Sequence, residues 1–388
     1  MHEQQRPSDP PAHRPSRRLF LGLLGAGAAG AAGAVVVGKP GAALGEPAVA
    51  VPVPTGPGVP ELLAAPVPAG AAVRPPFPAG YVSVSWADPA ARPRLRLDGG
   101  PWQPVVAGCP TGTDTAPPAT SALVPAAGAQ EVQVAGGTAR AVNTTAGRRR
   151  PVRRGRSESP RLGLVRAVRR AGWGADDDWL HVNDDPALEL RDPPVWAPVQ
   201  VVTVHHTATA NDDPAPAATL RAIYDDHVHN PARDFGDIGY HVLIDANGTV
   251  YEGRKGDDSS PLFGHRFVDG RWEMVRAAHV ALNNTGNFGV ALLGDLTLAP
   301  PTARARRSLV AVLAILCLVH RLDPVGTVRY VNSAGERDID SIAMHRQWLP
   351  TECPGEAFAP VFGAVRADVA RLLRLPTARA TLLPGLPG

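Results

Sequence analysis

The chain is poor in cysteine, with only Cys109, Cys317 and Cys353 among 388 residues. Three thiols cannot build the disulfide framework that organises small exported domains, so each cysteine is interpreted singly. Cys317 lies within the apolar run LVAVLAILCLVH, which predicts a buried core residue. Cys109 stands beside Pro110 in a loop-like stretch, and the sequence assigns no role to it. Cys353 belongs to a motif that is taken up below.

Lysine is almost absent and the charges nearly balance. Lys39 and Lys255 are the only lysines, and 39 basic against 36 acidic residues leave a formal net charge of +3. A net charge this small does not indicate a basic surface for nucleic acid, so we expect no nucleic-acid partner. Gly, Ser and Pro surround the one basic run, which favours a solvated Arg-rich linker at 146–163, with attraction to anionic polymers as the alternative. Its arginines are Arg148, Arg149, Arg150, Arg153, Arg154 and Arg156.

Aromatic residues are also scarce, at 5% of the chain, whereas 40 Gly and 42 Pro concentrate in its first part. Residues 51–78 are so poor in large apolar side chains that we interpret them as a Pro/Ala/Gly-rich tether. Between 79 and 145, the short alternating segments YVSVSW, RLRLD and EVQVAG predict a small β-rich module of unknown role. The core of this module is thin, so it is either partly degenerate or dependent on the domain that follows.

The N-terminal residues 1–50 have the pattern of an export signal. Arg17 and Arg18 precede a weakly apolar, Gly- and Ala-rich stretch from Leu19 to Gly38. This combination is typical of a twin-arginine signal peptide, with a candidate cleavage site at AVA, residues 48–50. The alternative is an uncleaved anchor, for which the stretch has too many small residues. We expect an exported, extracellular or wall-associated protein that meets the membrane only through this signal.

From 164 to 376 the pattern changes to alternating strands and helices. QVVTVHHTA and FGVALLGDL predict buried strands, and GYHVLIDANGTVYEGR predicts a hairpin. ATLRAIYDDHV, TARARRSLVAVLAILCLVHRL and FAPVFGAVRADVARLLRL predict helices. Alternation of this kind indicates an α/β domain in which a central mixed sheet is covered by helices, followed by a tail at 377–388.

Three side chains in this domain suit a metal ion. Catalytic zinc takes three protein ligands from imidazole, thiolate and carboxylate, and keeps one position open. His205 ends a predicted strand, whereas His345 and Cys353 flank the loop RQWLPTE, which Pro350 and Pro354 stiffen. Spacing alone is a weak signal and favours the plain alternative of a surface histidine and a buried cysteine.

Five sequence motifs, called landmarks below, indicate a function for these three residues. In order, they are RAGWGA at 170–175, VVTVHHTA, DIGYHVLIDANGTVYEGR, AAHVALNNTGNFGVALLGD and MHRQWLPTECPG. In these segments the domain resembles the peptidoglycan recognition protein and type 2 N-acetylmuramoyl-L-alanine amidase family. The resemblance implies the zinc amidase fold and zinc-dependent hydrolysis of the amide between N-acetylmuramic acid and L-alanine in bacterial peptidoglycan.

The resemblance also implies the ligands of the zinc. The first histidine of the HHT segment is a ligand in that family, which corresponds to His205, and His206 is then only its neighbour. The later histidine corresponds to His345, and the cysteine of TECPG to Cys353. Family members that lack this cysteine are generally binding proteins, so Cys353 favours an enzyme.

Two further residues are implied to be catalytic. Tyr240 matches the family's catalytic tyrosine, and Thr351 lies where phage relatives carry lysine and recognition-protein amidases carry threonine. A hydroxyl at Thr351 brings no charge to the developing oxyanion. The chain departs from the family pattern at Met344, where glycine is usual, and at Gln347, where aspartate is usual. The resemblance therefore implies least about how the loop presents His345.

Four residues are expected to contact the substrate. His279 and Asn284 match a family segment that lines the groove for the stem peptide. Trp173 is interpreted as a sugar platform or a packing anchor. Arg254 is interpreted as a partner of a substrate carboxylate or a cap of the hairpin.

Two other histidines are set aside. His241 follows Tyr240 in a strand and therefore points to the opposite face, which predicts plain packing. His265 belongs to the polar insertion GDDSSPLFGHRFVDGRWEMVR, which we interpret as a wall of the groove, and we expect His265 at the surface.

The functional alternatives are distinct. A zinc amidase acting on peptidoglycan is favoured by Cys353, Tyr240 and Thr351 together, and we expect a monomer. A non-catalytic peptidoglycan-binding protein that retains a structural zinc is the alternative. A wall-attached structural protein using the Arg-rich linker would leave the second half of the chain without a role.

Overall fold

The computed structural model describes residues 58–109, 111–115, 120–151, 161–162 and 165–382. The predicted export signal at 1–50 lies outside these residues. The described residues belong to one compact unit that begins at Val51. Among them, no helix has the length and apolar character that crossing a bilayer requires.

The first part of the unit is a β module. Its strands are β1 (Val59–Pro60), β2 (Leu63–Val67), β3 (Ala72–Val73), β4 (Ala79–Ser85), β5 (Arg94–Leu97), β6 (Gln103–Pro104), β7 (Ser121–Ala129), β8 (Val132–Ala135), β9 (Thr138–Asn143) and β10 (Arg149–Arg150). Two four-stranded sheets form, in the orders β2-β9-β4-β7 and β3-β8-β5-β6. One apolar core joins them, and Val82, Val84, Leu95, Val132 and Val134 are buried in it.

The module is larger than its sequence pattern predicts. The interpretation of 51–78 as a tether is wrong from Gly58 onward, because β2 pairs along its whole length with β9. The linker interpretation of 146–163 is wrong at Arg149–Arg150, which pair with Val59–Pro60. Backbone hydrogen bonds need no large side chain, and β2 is an edge strand, where Pro66 is tolerated. Residues 152–160 lie outside the described part of the chain.

The second part is the predicted α/β domain. Its strands are β11 (Arg161–Leu162), β12 (Val165–Val168), β13 (Trp196–Ala197), β14 (Val201–His206), β15 (Val242–Ile244), β16 (Val250–Glu252), β17 (His265–Val268), β18 (Arg271–Val275), β19 (Asn287–Leu292), β20 (Thr327–Asn332), β21 (Gly335–Asp340) and β22 (Ile342–Met344). The central sheet has seven strands in the order β11-β12-β16-β15-β19-β14-β22. It is mixed: β15, β19, β14 and β22 run parallel, whereas β15 and β16 form the predicted antiparallel hairpin.

Helices cover both faces of this sheet. They are α1 (Arg170–Trp173), α2 (Pro216–His229), α3 (Ala303–His320), α4 (Phe362–Leu373) and α5 (Ala378–Leu382). Side chains alternate along a strand, so Val242 and Ile244 join the core beneath α3 and α4, whereas Leu243 joins the core beneath α2. The predicted fold class is therefore confirmed, and Cys317 is buried as expected. The predicted tail begins with α5, and residues 383–388 lie outside the described residues.

The β module packs against α2 through buried polar contacts. Ser83 of β4 donates to the carboxylate of Asp226 at 2.6 Å. Arg140 of β9 pairs with Asp225 at 3.1 Å. Because both aspartates are buried, these contacts tie the module to the domain.

The insertion between the hairpin and His279 folds as the antiparallel pair β17 and β18. The expectation that His265 is at the surface is wrong, because its side chain is buried. The ring stacks on Phe288 with centroids 4.9 Å apart and on His320 at 5.0 Å. The polar residues around His265 in the sequence do not predict this packing, because it arises only when the fold brings β17 next to β19.

Candidate metal centre

Strand pairing brings the three predicted ligands together. His205 is the last residue but one of β14, and β14 runs parallel to β22 with Val204 opposite Met344. His345 follows Met344 directly, so the register places the two histidines side by side at one edge of the sheet. The loop after His345 returns because the Arg346 amide donates to the carbonyl of Cys353 at 3.0 Å.

His205, His345 and Cys353 form a cluster whose ligand atoms all lie within 4.8 Å of one another. All three side chains are buried, with at most 1% of their surface exposed. Both ring nitrogens of His345 are buried without a hydrogen-bond partner among the described residues. An unpaired buried nitrogen is costly, and a cation among these atoms would give it a partner. One thiol and two imidazoles are the donor set that zinc prefers, so the residues fit this metal.

His279 fixes the proton of His205. The Nε2 atom of His279 lies 2.9 Å from the carbonyl oxygen of Asn287, which can only accept, so Nε2 carries the proton. The Nδ1 atom of His279 therefore accepts from Nε2 of His205, 3.0 Å away. This leaves Nδ1 of His205 with a lone pair, and that atom faces the sulfur of Cys353 at 3.7 Å. His205 is thus held in the form that binds a metal.

Burial keeps these imidazoles neutral. It lowers the pKa of His279 to about 3. Burial, followed by the nearby His345, lowers the pKa of His205 well below its usual value. A neutral imidazole is the form that coordinates a metal.

The hydrogen bonds of His206 disfavour it as a ligand. Its Nδ1 accepts a hydrogen bond from the Leu296 amide at 3.1 Å. In the neutral ring the proton is then on Nε2, so neither nitrogen has a free lone pair. These contacts favour His205 over His206, but His206 also lies within 4.8 Å of Cys109 and Cys353, so the choice of His205 stays a prediction.

The loop that carries Cys353 is firmly held. The His206 amide donates to the sulfur of Cys353 at 3.4 Å, whereas burial, followed by the neighbouring Cys109, raises the pKa of the Cys353 thiol well above its usual value in the metal-free protein. The hydroxyl of Thr351 accepts from the Cys353 amide at 3.2 Å. Gln347, at a position that departs from the family pattern, accepts from the Met344 amide at 2.7 Å and donates to Asp340 at 2.9 Å. Its side chain therefore braces the turn that presents His345.

Cys109 is the residue of this centre that the sequence missed. Its sulfur forms a second cluster with His206 and Cys353, again within 4.8 Å. The neighbouring Cys353 lowers the pKa of the Cys109 thiol despite its burial. Nothing in the sequence around Cys109 signals this position, because the contact joins the β module to a loop more than 200 residues later.

The two predicted catalytic residues lie beside the cluster. The ring of Tyr240 is 5.3 Å from that of His205, centroid to centroid. Burial, followed by the nearby thiols Cys109 and Cys353, raises the pKa of Tyr240 well above its usual value, so its hydroxyl keeps its proton. Thr351 supports the Cys353 amide, as described above.

Two of the expected substrate contacts are engaged within the protein. His279 is fully buried behind His205, which is a positioning contact in place of the expected contact with a stem peptide. Asn284 is also buried, and its side chain donates to the carbonyl of Gly112 at 2.8 Å and to Asp114 at 2.9 Å. The β module thus occupies the face of Asn284 where a peptide was expected.

The other two expected contacts are structural. Trp173 is a packing anchor, buried to 1% exposure, and its indole donates to the carbonyl of Glu252 at 2.7 Å. Arg254 is buried, pairs with Asp192 and donates to the carbonyl of Phe235 at 2.9 Å. Neither side chain has the exposure that a sugar or a substrate carboxylate would need. His241 packs on Phe288 with centroids 4.2 Å apart, as expected.

Fold and site together define a mixed α/β domain with a buried His-His-Cys centre at the edge of its sheet. Residues 195–356 match the model of the family described as N-acetylmuramoyl-L-alanine amidase. This stretch of the chain is therefore similar to that family.

Relatives with related names match the same part of the chain. A human N-acetylmuramoyl-L-alanine amidase is 32% identical over 169 residues, which is 41% of this chain and 23% of that protein. A peptidoglycan recognition protein of Trichoplusia ni is 29% identical over 160 residues, 41% of this chain and 70% of that protein. The chain thus spans about a quarter of the human relative's length. The crystal structure of the Drosophila peptidoglycan recognition protein SD aligns with 51% of this chain and 93% of its own, at 26% identity and a TM-score of 0.36.

Proposed function

We propose that this protein is a zinc-dependent amidase that hydrolyses the bond between N-acetylmuramic acid and L-alanine in bacterial peptidoglycan. The observation that carries the proposal is the cluster of His205, His345 and Cys353 within 4.8 Å, inside a segment that matches the amidase family. These residues would hold the metal. We expect an exported monomer that acts on the wall.

When bound, zinc supplies Lewis acidity: it polarises a carbonyl and lowers the pKa of water to about 7. The side chains around it have separate tasks. His279 orients His205, and the loop bond to Thr351 orients Cys353. Tyr240, whose hydroxyl keeps its proton because of burial, would donate a hydrogen bond to an oxyanion at the scissile carbonyl.

A non-catalytic peptidoglycan-binding protein with a structural metal is the second candidate. The observation that favours it is the closure of the centre, because all three ligands are at most 1% exposed and Cys109 lies beside them. Structural zinc sites have four protein ligands, whereas catalytic sites keep one position open. The two candidates therefore differ in whether the fourth position can be freed.

Zinc-loaded protein incubated with peptidoglycan, with and without a chelator, separates them. The proposal expects new N-terminal alanine to appear only without chelator. The second candidate, a binding protein, would be supported if the protein bound the wall stoichiometrically but released no alanine from any wall preparation. The same result would be needed from variants in which Cys109 is replaced.

A further inference from the structure

The β module contacts the metal centre through a segment between β6 and β7, residues 109 and 111–114. Within it, Cys109 donates from its sulfur to the carbonyl of His206 at 3.7 Å. Its sulfur lies within 4.8 Å of the sulfur of Cys353. Cys353 belongs to both clusters, so the thiol of Cys109 lies next to the predicted ligand set.

The same segment has a second anchor five residues later, at Asp114. One carboxylate oxygen accepts from the Asn284 amide at 2.6 Å and from its side chain at 2.9 Å. The other oxygen accepts from the amide and the hydroxyl of Thr285, at 3.0 and 2.6 Å. All four donors are provided by the loop that follows His279, so this loop is built to receive a carboxylate.

Backbone groups of the segment bind the same loop. The carbonyl of Gly112 accepts from the side chain of Asn284 at 2.8 Å, and the carbonyl of Thr113 accepts from the Leu282 amide at 2.8 Å. An extended peptide with an acidic side chain would present these same groups to the loop. The segment therefore occupies a peptide-binding position beside the metal centre.

We infer that residues 109 and 111–114 form an intramolecular latch: Cys109 is a fourth ligand of the metal, and Asp114 fills the carboxylate site of Asn284 and Thr285. The inference rests on the proposed function for the identity of the metal. Its independent support is His345, whose two buried nitrogens lack a partner among the described residues. A thiolate at the fourth position converts an open catalytic centre into a closed one.

The docking of the module makes this latch strong. Because Ser83 and Arg140 hold the module on α2, Cys109 stays next to the metal at an effective concentration of roughly millimolar or more. Two anchors must be released together before a peptide can enter. The folded chain is therefore latent, and opening of the latch precedes turnover.

Cobalt substitution of the full chain tests the ligand. Two thiolates on Co²⁺ give a stronger sulfur-to-metal charge-transfer band than one, so Cys109→Ser is expected to lose one of two thiolate contributions while keeping stoichiometric cobalt. Cys317→Ser is the matched control, because this buried thiol lies in α3, and its spectrum should equal that of the wild type. Equal spectra for Cys109→Ser and the wild type, or a Cys109–Cys353 disulfide in the metal-loaded protein, would overturn the latch.

Asp114→Ala tests the second anchor without touching a ligand. Release of this anchor should speed alkylation of Cys109 and removal of zinc by a chelator, each by at least tenfold. Asp98→Ala is the control, since Asp98 also accepts from two backbone amides, at 2.7 and 2.8 Å, on an exposed part of the same module. Equal rates for Asp114→Ala and the wild type would overturn the inference.

These readouts separate the latch from the proposed function. Loss of one thiolate contribution together with faster peptidoglycan hydrolysis by Cys109→Ser supports both. The same spectral loss with no hydrolysis by any variant supports the fourth ligand and contradicts the amidase.

Discussion

Nε2 of His205 donates to Nδ1 of His279 across 3.0 Å, so a residue behind the centre decides which nitrogen of His205 faces Cys353. The carbonyl of Asn287 accepts from Nε2 of His279 at 2.9 Å. This second hydrogen bond completes a relay that runs from His205 through His279 to Asn287. Any substitution that breaks this relay frees His205 to adopt the other tautomer or to rotate.

His279→Phe should therefore weaken zinc binding by about 10- to 100-fold, the usual effect of removing an outer partner of a metal-ligating histidine. The measurement is a competition titration with a chromophoric chelator. His265→Phe is the control, because it replaces another buried histidine that stacks away from the centre on Phe288. Unchanged zinc affinity in His279→Phe would contradict the relay.

Cys353→Ser and Tyr240→Phe should separate binding from turnover. Serine lacks the thiolate, so the first variant is expected to lose both zinc and hydrolysis. The second keeps the three ligands and loses only a hydroxyl, so it should bind zinc stoichiometrically while hydrolysis falls by about 10²-fold or more. Metal content by elemental analysis and alanine release measure the two. Stoichiometric zinc in Cys353→Ser made together with Cys109→Ser, so that no second thiol can take its place, would show that the ligand set is wrong.

The interface between the module and α2 should be worth measurable stability. Ser83→Ala removes a buried bond to the carboxylate of Asp226 and should lower the free energy of unfolding by about 1–3 kcal/mol. Ser85→Ala, two residues along β4, removes only an exposed contact with Thr138 and should change it by less than about 0.5 kcal/mol. Equal effects in denaturant titrations would mean that the module does not depend on this contact.

The stacked pair His265 and His320 should make the metal-free protein sensitive to acid. Burial lowers the pKa of His265 to about 4 and that of His320 to about 2. An unfolded histidine binds its proton near pH 6.5. Between pH 6.5 and 4 the unfolded state therefore holds more protons, so stability is complete above pH 6.5 and falls as the pH drops, by up to about 1.4 kcal/mol per pH unit for each residue.

His265→Phe keeps the ring over Phe288 and removes one of the two titrating groups. The slope of unfolding free energy against pH over this range should become shallower by about 1.4 kcal/mol per unit at most. Denaturant titrations at pH 7, 6 and 5 measure it. Identical slopes would contradict the buried, neutral state of His265.

Much of the domain was predictable because local patterns and the global fold agree. The strand at Val201–His206, the hairpin and the helix at Ala303–His320 follow from apolar periodicity, and the family landmarks select the three side chains that the fold brings within 4.8 Å of one another. Exposure was not predictable: Trp173, Arg254 and His279 lie in matching segments, but whether a matching side chain faces a groove or the core depends on neighbours brought by the fold.

The β module shows even more clearly which features the sequence pattern could not predict. Residues 58–78 look like a tether because small residues and proline carry no apolar signal, yet their backbone completes a sheet. Cys109 has no local signature at all, since its partners, His206 and Cys353, come from another part of the chain.

The most direct test is the identity of the bond that is cut. Zinc-loaded wild-type protein and Cys109→Ser are incubated with a defined muropeptide, and the products are weighed by mass spectrometry. The amidase account predicts a glycan with a free lactyl carboxylate and a peptide that begins with alanine, formed faster by Cys109→Ser and abolished by chelator or by Cys353→Ser. An intact muropeptide in every reaction, or cleavage at any other bond, would contradict it.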